Sequence, residues 1–563
     1  MPRQRAHRAW ILAASGLTAL SAAAATPPAL LLRGGTIHTG NPAAPRAEAV
    51  LAVGERIAYV GDEAEARRRA PEGARVIDLG GKTLLPGLTD SHAHLESIGR
   101  RELGFDLTGV ESVAALQRRL AERAATERSP WIVGSNWIES KWKPAVFPSR
   151  RDVDAVVSDR PVFLERIDGH AAVVNTKALE IAGITRDTPD PQGGQILRDP
   201  ATGEATGMLV DTAMELVWRH VPPWTDEESS RALEAGAAHY VRLGWTELQE
   251  AGTTWATVER LCRLYAAGRM KLRVYVAIGG AGEDAERLLA AGRDYQSCDP
   301  RLTVRAIKLY MDGALGSRGA ALDEPYSDSP ASRGLYVTEP AEVLRIATAA
   351  LRRGIQVETH AIGDRGNRVA LDHYEQAFSA VPAAERPVAD PRFRIEHAQV
   401  VADADIPRFA KLGVIASMQT SHAISDMLFA PARLGPQRIG GAYAWRKFLD
   451  AGATIAGGTD APVEAGDPRV EFYAAVTRRT LEGFAGPDWG LDQRLTREEA
   501  FALLTRHAAY AAFQDKERGS IEPGKLADFS VFSADWMKIP EAEIPRSEAV
   551  MTVIGGEVAW QAP

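Results

Sequence analysis

Apolar and polar positions follow one another along most of the chain in an alternating order of strand-like and helix-like segments. From Trp245 onward, short apolar runs are each followed by an amphipathic stretch with helical spacing. With a first strand at Leu88, the pattern predicts eight β units in an α/β fold. Their strands begin near Leu88, Trp245, Leu272, Leu302, Ile355, Phe393, Val414 and Thr454. This order is typical of a (β/α)8 TIM barrel.

The two ends of the chain have a different texture, with short apolar runs broken by Gly and Pro. Residues 26–84 and 519–563 share this pattern, and neither set can easily close a core alone. We therefore expect both termini to build one small β-sandwich together. About 150 residues separate the first barrel strand from the second, more than a barrel connection needs. The barrel is thus predicted at 85–518, with a large insertion after strand 1 that forms a lobe at about 105–230.

The first 25 residues stand apart from the rest. Three arginines and one histidine precede an apolar run that ends in small residues, and no acidic residue occurs among them. This layout is typical of a secretory signal peptide, and the run is short for a spanning helix. We expect export to the periplasm or the medium; an uncleaved anchor is the alternative.

Composition narrows the choice of partners. The 563 residues are 45% hydrophobic and 25% charged, an ordinary globular balance. The net charge of −8 becomes −11 once the three leader arginines are removed, which argues against nucleic acid and anionic membranes as partners. The two cysteines, Cys262 and Cys298, form neither a disulfide framework nor a C-x-x-C site, and a single disulfide does not follow from the sequence. We expect a small-molecule substrate and leave a homodimer open.

Side chains able to bind metal fall near the carboxyl ends of the predicted barrel strands. His92 and His94 follow Pro86-Gly87 in an H-x-H pattern, which puts both imidazoles on one face of a strand. Lys308 lies in an otherwise apolar strand, where an unpaired ammonium is costly. Strands five, six and eight end in His360, His397 and Asp460. Together these residues predict a divalent metal site.

Each of these residues taken alone also has a structural explanation. A single histidine is more often a hydrogen-bonded core residue, Asp460 could cap a turn or a helix, and Lys308 could extend from the barrel rim. Their coincidence on strands one, four, five, six and eight is much harder to explain in this way. Chemistry on a barrel of this kind occurs at the carboxyl ends of its strands. The set as a whole therefore favours a catalytic centre.

Seven motifs in a fixed order carry a family resemblance. They are Pro-Gly-Leu-Thr-Asp-Ser-His-Ala-His at 86–94, Asp168-Gly169-His170, Lys308 to Gly313, Gly316-Ser317-Arg318, His360 to Asp364, Glu396-His397, and Gly458 to Pro462. In this order they resemble the amidohydrolase superfamily, and more narrowly amidohydrolase family 3, the YtcJ-like group that includes N-substituted formamide deformylase. The resemblance covers nearly the whole chain after the leader and implies hydrolysis of amide-type C–N bonds on a metal-bearing barrel.

The resemblance also implies a ligand set for two ions. By position, His92, His94 and Asp460 would hold one divalent ion, His360 and His397 would hold a second, and Lys308 would bridge them as its carbamate. Burial near cations favours a neutral lysine amine, which can capture carbon dioxide. Imidazole and carboxylate ligands suit two Zn²⁺ per chain, although manganese, iron and nickel are alternatives. A hydroxide held between the ions would attack the substrate carbonyl.

Further residues are assigned to catalysis and to substrate binding. Asp460 is the candidate for taking the proton of the hydroxide and passing it to the leaving nitrogen. His170 would donate to the developing oxyanion or hold substrate, unless it is a loop residue satisfied by its neighbours. Substrate contacts are expected from Trp137, Asp168, Arg318 and His422, where the lobe and the loops would line the mouth. Trp137 could instead pack the lobe, and Arg318 could cap its own loop.

Three functions compete on this evidence. The first is an exported binuclear metal amidohydrolase that acts on amide, N-acyl or N-formyl compounds. The second is a mononuclear deaminase or cyclic-amide hydrolase on the same fold, which has no need of a bridging lysine. The third is a catalytically inactive, metal-free binding protein that keeps the fold. The number of ions per chain separates them.

Overall fold

The computed structural model describes residues 28–139, 142–166, 171–191, 194–487 and 489–563. The leader predicted at residues 1–25 lies outside these ranges. In chain order the strands are β1 (Ala29–His38), β2 (Arg46–Val53), β3 (Arg56–Gly61), β4 (Arg75–Asp78), β5 (Thr83–Pro86), β6 (Leu88–Ala93), β7 (Phe105–Asp106), β8 (Ile132–Trp137), β9 (Val162–Arg166), β10 (Ala171–Val174), β11 (Gly194–Arg198), β12 (Ala205–Asp211), β13 (Trp245–Thr253), β14 (Arg273–Gly279), β15 (Leu302–Tyr310), β16 (Gln356–Ala361), β17 (Arg394–His397), β18 (Ile415–Gln419), β19 (Ile455–Gly458), β20 (Phe529–Phe532), β21 (Ala549–Ile554) and β22 (Glu557–Gln561).

Helices connect these strands and cover the outside of the barrel. They are α1 (Glu63–Arg69), α2 (Leu95–Leu103), α3 (Val113–Thr126), α4 (Arg150–Asp154), α5 (Thr176–Ala182), α6 (Glu215–Trp218), α7 (Asp226–Leu243), α8 (Trp255–Ala266), α9 (Glu283–Ala291), α10 (Pro340–Arg353), α11 (Asp364–Ala380), α12 (Ile406–Leu412), α13 (His422–Ser425), α14 (Ala430–Leu434), α15 (Trp445–Asp450), α16 (Pro468–Thr477), α17 (Arg497–Leu503) and α18 (Arg506–Ala511). Helix α10 illustrates the local signals: it begins at Pro340, buries residues at helical spacing, and ends before Gly354, whose φ of 69° suits a glycine.

Eight parallel strands form the barrel that the sequence predicts. Their order is β6-β13-β14-β15-β16-β17-β18-β19, as the chain visits them. The two edge strands are joined where they meet. The backbone N–H of Asp460 donates to the carbonyl of His92 at 2.7 Å, and the Asp90 carboxylate accepts from the N–H and the hydroxyl of Thr459 at 2.9 and 2.7 Å. The predicted fold class is therefore confirmed.

The insertion after the first barrel strand contains a sheet of its own. Its strands lie in the order β11-β12-β10-β9-β8-β7. Leu116 and Leu120 of α3 pack in one core with Ile132 and Leu164 of this sheet. The lobe thus has its own hydrophobic core and lies beside the barrel rather than extending it.

Strands from both termini share one mixed sheet, in the order β22-β21-β20-β5-β1-β2-β3, with β4 also paired to β1. The two termini are joined in this sheet because β5 pairs with β1 on one side and with β20 on the other. Side chains from both halves, among them Leu32, Val50, Phe529 and Val553, meet in one core. The joint unit predicted from the two termini is present, as a continuous sheet that folds over its own core.

A buried ionic cluster attaches this sheet to the amino-terminal end of the barrel. Asp528, just before β20, accepts from Nε and Nη2 of Arg273 at 2.8 and 3.1 Å and from the N–H of Gly555 at 2.8 Å. Arg518 lies 3.6 Å from the same carboxylate and donates to Glu247 of β13. The four charged side chains are at most 6% exposed, so each depends on its partners for compensation.

Cys262 of α8 and Cys298, 36 residues later, form a disulfide. The sequence was compatible with this pairing but did not predict it. Among the described residues, no helix is both long and apolar enough to cross a membrane.

Candidate metal centre

All six predicted ligands lie at the carboxyl-terminal end of the barrel. His92 is the penultimate residue of β6, and His94 comes directly after this strand. Lys308 is two residues from the end of β15, and His360 is the penultimate residue of β16. His397 ends β17, and Asp460 follows β19 by two residues. The terminal sheet is attached at the opposite end. The candidate metal ligands and the buried ionic cluster therefore lie at opposite ends of the barrel.

The first group of potential ligands is His92, His94 and Asp460. Its ligand atoms all lie within 4.8 Å of one another. Oδ1 of Asp460 is 3.5 Å from Nε2 of His92 and 3.2 Å from Nε2 of His94. Two imidazoles and one carboxylate that converge in this way suit a divalent cation.

The second group shares the same carboxylate. His397, His422 and Asp460 also bring ligand atoms within 4.8 Å of one another, and Oδ2 of Asp460 is 3.6 Å from Nε2 of His422. The ring of His360 lies 4.5 Å from that of His397, centroid to centroid. Asp460 thus presents one oxygen to each group. His422, which the sequence assigned to substrate, begins α13 and joins this cluster.

Several buried nitrogen atoms in the centre make no hydrogen bond to any residue that the structure describes. Nε2 of His360 and Nε2 of His422 have no hydrogen-bond partner in the described ranges. Nζ of Lys308 contacts the ring of Tyr310 at 5.1 Å but makes no hydrogen bond or ion pair with any residue that the structure describes. Buried polar atoms are normally satisfied, so these nitrogen atoms call for an additional ligand. The donor set therefore fits bound divalent cations.

Neighbouring side chains orient the imidazoles. Nδ1 of His92 donates to Oε2 of Glu396 at 2.5 Å, and Nδ1 of His397 donates to Oε1 of Gln419 at 2.8 Å. In each ring the other nitrogen, Nε2, is left with its lone pair free to bind a cation. The sequence placed Glu396 in a family motif but assigned it no role of its own. The position of Glu396 beside His397, within a buried strand, was the available signal.

Burial controls the charge of the centre. Burial lowers the pKa of Lys308, against the opposing attraction of Glu396 and Asp460. It also lowers the pKa of His360 to about 3, with a further contribution from Lys308. His94 differs, because Asp460 and Glu250 outweigh the effect of burial and raise its pKa to about 9. Burial likewise lowers the pKa values of His92 and His397, so these two imidazoles and that of His360 are held neutral, which is the form that binds metal.

The backbone around the centre has two unusual features. Gly252, at φ 118°, lies beside Lys308, and a Cβ atom there would approach Cγ of Lys308 to 3.2 Å. His397 and Asp460 have φ values of 73° and 57°, in the left-handed region that non-glycine residues rarely adopt. Such strain is typical of functional sites, where the surrounding structure imposes it.

Other predicted site residues lie elsewhere or outside the described ranges. Trp137 is fully buried in the lobe core, where its Nε1 donates to the Leu164 carbonyl at 2.8 Å, so its predicted contact with substrate is corrected to a packing role. Arg318 lies on an exposed loop and donates to Asp328 from Nε and Nη2 at 3.1 and 2.9 Å. It therefore caps its own loop, the alternative left open by the sequence. Asp168 and His170 are not among the described residues.

A barrel of eight parallel strands, with histidines and a carboxylate gathered at its carboxyl end, defines a metal-dependent hydrolase fold. The solved structure of an uncharacterized metal-dependent hydrolase from Pyrococcus horikoshii OT3 superposes with a TM-score of 0.75 at 28% identity, covering 91% of this chain and 99% of that one. The model of the Amidohydrolase family matches residues 75–559, and the chain belongs to this family.

Two relatives of known sequence align with nearly the whole length of this chain. The chain is 32% identical to YtcJ of Bacillus subtilis over 94% of this chain and 98% of that protein. It is 29% identical to the N-substituted formamide deformylase of Arthrobacter pascens over 92% of this chain and 95% of the relative. The resemblance to amidohydrolase family 3 that the motifs predicted is confirmed.

Proposed function

We propose that the protein hydrolyses an amide-type C–N bond, of the N-acyl or N-formyl kind, in a small molecule. The observation that carries the proposal is the position of Asp460, whose two carboxylate oxygens face two separate groups of imidazoles. The name of the Arthrobacter pascens relative, which is a formamide deformylase, supports the choice of bond. Two Zn²⁺ ions per chain are our assignment for the cations.

The ligands divide into two sets around Asp460. His92 and His94 would hold one cation with Oδ1, and His397 and His360 would hold the second, with His422 close enough to take part through its unpartnered Nε2. Bound there, divalent cations supply a water molecule of lowered pKa and polarise the carbonyl of the substrate.

Lys308 would complete the centre as a carbamate. Its neutral amine forms an N–C bond to carbon dioxide and loses one proton, which turns a costly buried ammonium into an anionic ligand. Three observations support this role: the complete burial of Lys308, its lowered pKa, and the space that Gly252 leaves beside it.

Asp460 would move the proton during the reaction. Its carboxylate accepts the proton of the attacking water and delivers it to the substrate nitrogen as the C–N bond breaks and a C–O bond forms. The amine then leaves together with the acid. A role for His170 in steadying the oxyanion stays a prediction.

We also infer that the protein is exported. The leader pattern of residues 1–25 supports this inference. The disulfide between Cys262 and Cys298 supports it independently, because such bonds persist in oxidising compartments.

Substitution of Lys308 by alanine tests the function and the bridge together. We expect wild-type protein to release amine from members of a panel of N-acyl and N-formyl amines, and Lys308→Ala to lose this activity. Added short carboxylic acids should partly restore it by supplying the missing anion. Lys411→Ala, on the surface of α12, is the control and should behave as wild type. Full activity of Lys308→Ala would refute the bridge, and an inactive wild-type protein would refute the function.

A further inference from the structure

A groove of about 920 Å³ lies between the inserted lobe and the barrel and ends at the metal centre. His94 and Glu250 line its inner end, α2 and the start of α8 line the barrel side, and Val133 with the segment from Trp218 to Trp224 lines the lobe side. Its volume is in the range of small-molecule sites. Apart from His94, Glu250 and Gly252, which lie at its inner end, no residue of this groove has been assigned a role above.

The exposure of the ligands indicates that the groove leads to the centre. The side chain of His94 is 28% exposed, whereas those of His92, Asp460 and His422 are 1%, 11% and 10% exposed. The centre is thus most open on the side of His94. A substrate whose reacting carbonyl reaches the cluster from this side extends its remaining part along the groove.

Two indoles form an apolar wall and are held in position. Trp218 is 44% exposed, and its ring packs edge-to-face with that of Phe163, with 5.2 Å between the ring centroids. The guanidinium of Arg100 lies over the ring of Trp224, with its carbon atom 4.7 Å from the ring centroid. Rigid aromatic surfaces of this kind bind flat apolar groups at low entropic cost.

The charges along the groove leave one cation without a partner. Arg100 donates to Glu96 at 2.6 Å, and Arg260 donates to Asp226 at 2.8 Å, so these guanidinium groups are already compensated. The exposed guanidinium of Arg219 makes no hydrogen bond or ion pair with any described residue. An anionic group of a ligand can therefore pair with Arg219 without displacing an internal partner.

We propose that this groove is the specificity subsite of the enzyme. It binds an aromatic substituent of the substrate, and the end of this substituent that points away from the reacting bond carries a carboxylate. The inference rests on the proposed function for the reacting bond, but the ring and the charge follow from Trp218, Trp224 and Arg219. The substrate class is thus an N-acylated or N-formylated amine with an acidic aromatic side group.

Three probes separate the two parts of the proposal. They are 4-(acetamidomethyl)benzoate, its neutral analogue 4-(acetamidomethyl)benzamide, and N-acetyl-β-alanine, which has the carboxylate but no ring. The metal-loaded protein is assayed for kcat/KM where a probe is hydrolysed and for Kd by calorimetry in every case. We expect the benzoate to be preferred over each of the other two by about tenfold, roughly the effect of one charged contact or one buried ring.

Matched variants assign each preference to its residue. Arg219→Gln should abolish the preference for benzoate over benzamide, and Trp218→Ala and Trp224→Ala should reduce the preference for the ring. Arg118→Gln, an exposed arginine on α3, and Phe484→Ala, 56% exposed, are the controls and should keep both preferences. Trp218→Phe should restore most of the ring preference, which distinguishes a contact with the ligand from loss of folding.

The outcomes separate the subsite from the proposed function. Binding preferences that disappear in the variants, without hydrolysis of any probe, would support the subsite and refute the proposed reaction. Hydrolysis of all three probes at equal kcat/KM, or preferences that are the same in Arg219→Gln and Arg118→Gln, would overturn the subsite and leave the reaction standing.

Discussion

Replacing Asp528 by asparagine would weaken the attachment of the terminal sheet to the barrel. The change keeps the size of the side chain and an oxygen for the N–H of Gly555, but it removes the charge that faces Arg273 and Arg518. These guanidinium groups are 6% and 2% exposed, so solvent cannot replace the lost carboxylate. Removing one partner of a buried ion pair costs about 3–5 kcal/mol, and we expect Asp528→Asn to lose this much stability at pH 7.

The loss should depend on pH in a defined direction. Burial would raise the pKa of Asp528, but the charges of Arg273 and Arg518 outweigh burial and hold the pKa below its usual value. A depressed pKa contributes stability above the unfolded-state value of about 3.9, and this contribution disappears as the pH falls through the folded-state pKa. The deficit of Asp528→Asn should therefore be complete at pH 7 and shrink below about pH 4.

Urea unfolding followed by tryptophan fluorescence, repeated at several pH values, measures this deficit. Glu557→Gln is the matched control, because it removes a surface pair with Lys271 at 3.6 Å, also between the terminal sheet and the barrel. That exposed pair should contribute less than about 1 kcal/mol. Equal losses in Asp528→Asn and Glu557→Gln at pH 7, or a deficit that grows in acid, would refute the reasoning.

Further predictions concern the centre and the disulfide. Glu396→Gln should weaken metal binding about 10- to 100-fold in a chelator competition, because His92 loses its charged partner; unchanged affinity would contradict this orienting role. His422→Ala should weaken binding of the second cation more than the first, and equal weakening of both would argue against its place in the second group. Protein recovered from the periplasm or the medium should have no free thiol, and Cys262→Ser should cost about 2–4 kcal/mol of stability by releasing the link to Cys298; free thiols in the recovered protein would contradict export with a formed disulfide.

The sequence predicted the barrel and the place of its candidate ligands because both depend on local patterns. Buried parallel strands leave continuous apolar runs, and residues such as Lys308, His360 and His397 interrupt those runs near the strand ends. The strand ends of a barrel meet at one rim, so position along each strand was sufficient to bring the ligands together.

Contacts between distant elements could not be predicted in this way. Glu396 meets His92 across 304 residues, and no local spacing encodes that pair. His422 reaches the centre because the chain after β18 turns into α13 over the barrel mouth. Trp137 has the polar edge and large ring of a binding residue, but the packing of the lobe buries it completely. The role of Trp137 therefore follows from tertiary packing in the lobe core and not from its residue type.

The metal content of the purified protein, measured by mass spectrometry for the wild type and for Asp460→Asn, tests the central claim most directly. Because the two oxygens of Asp460 face two groups of imidazoles, we expect about two divalent ions per wild-type chain and loss of affinity for both in the variant. One ion per chain would favour the mononuclear deaminase or cyclic-amide hydrolase. A wild-type protein that binds no divalent ion, or a variant that keeps both, would contradict the binuclear centre.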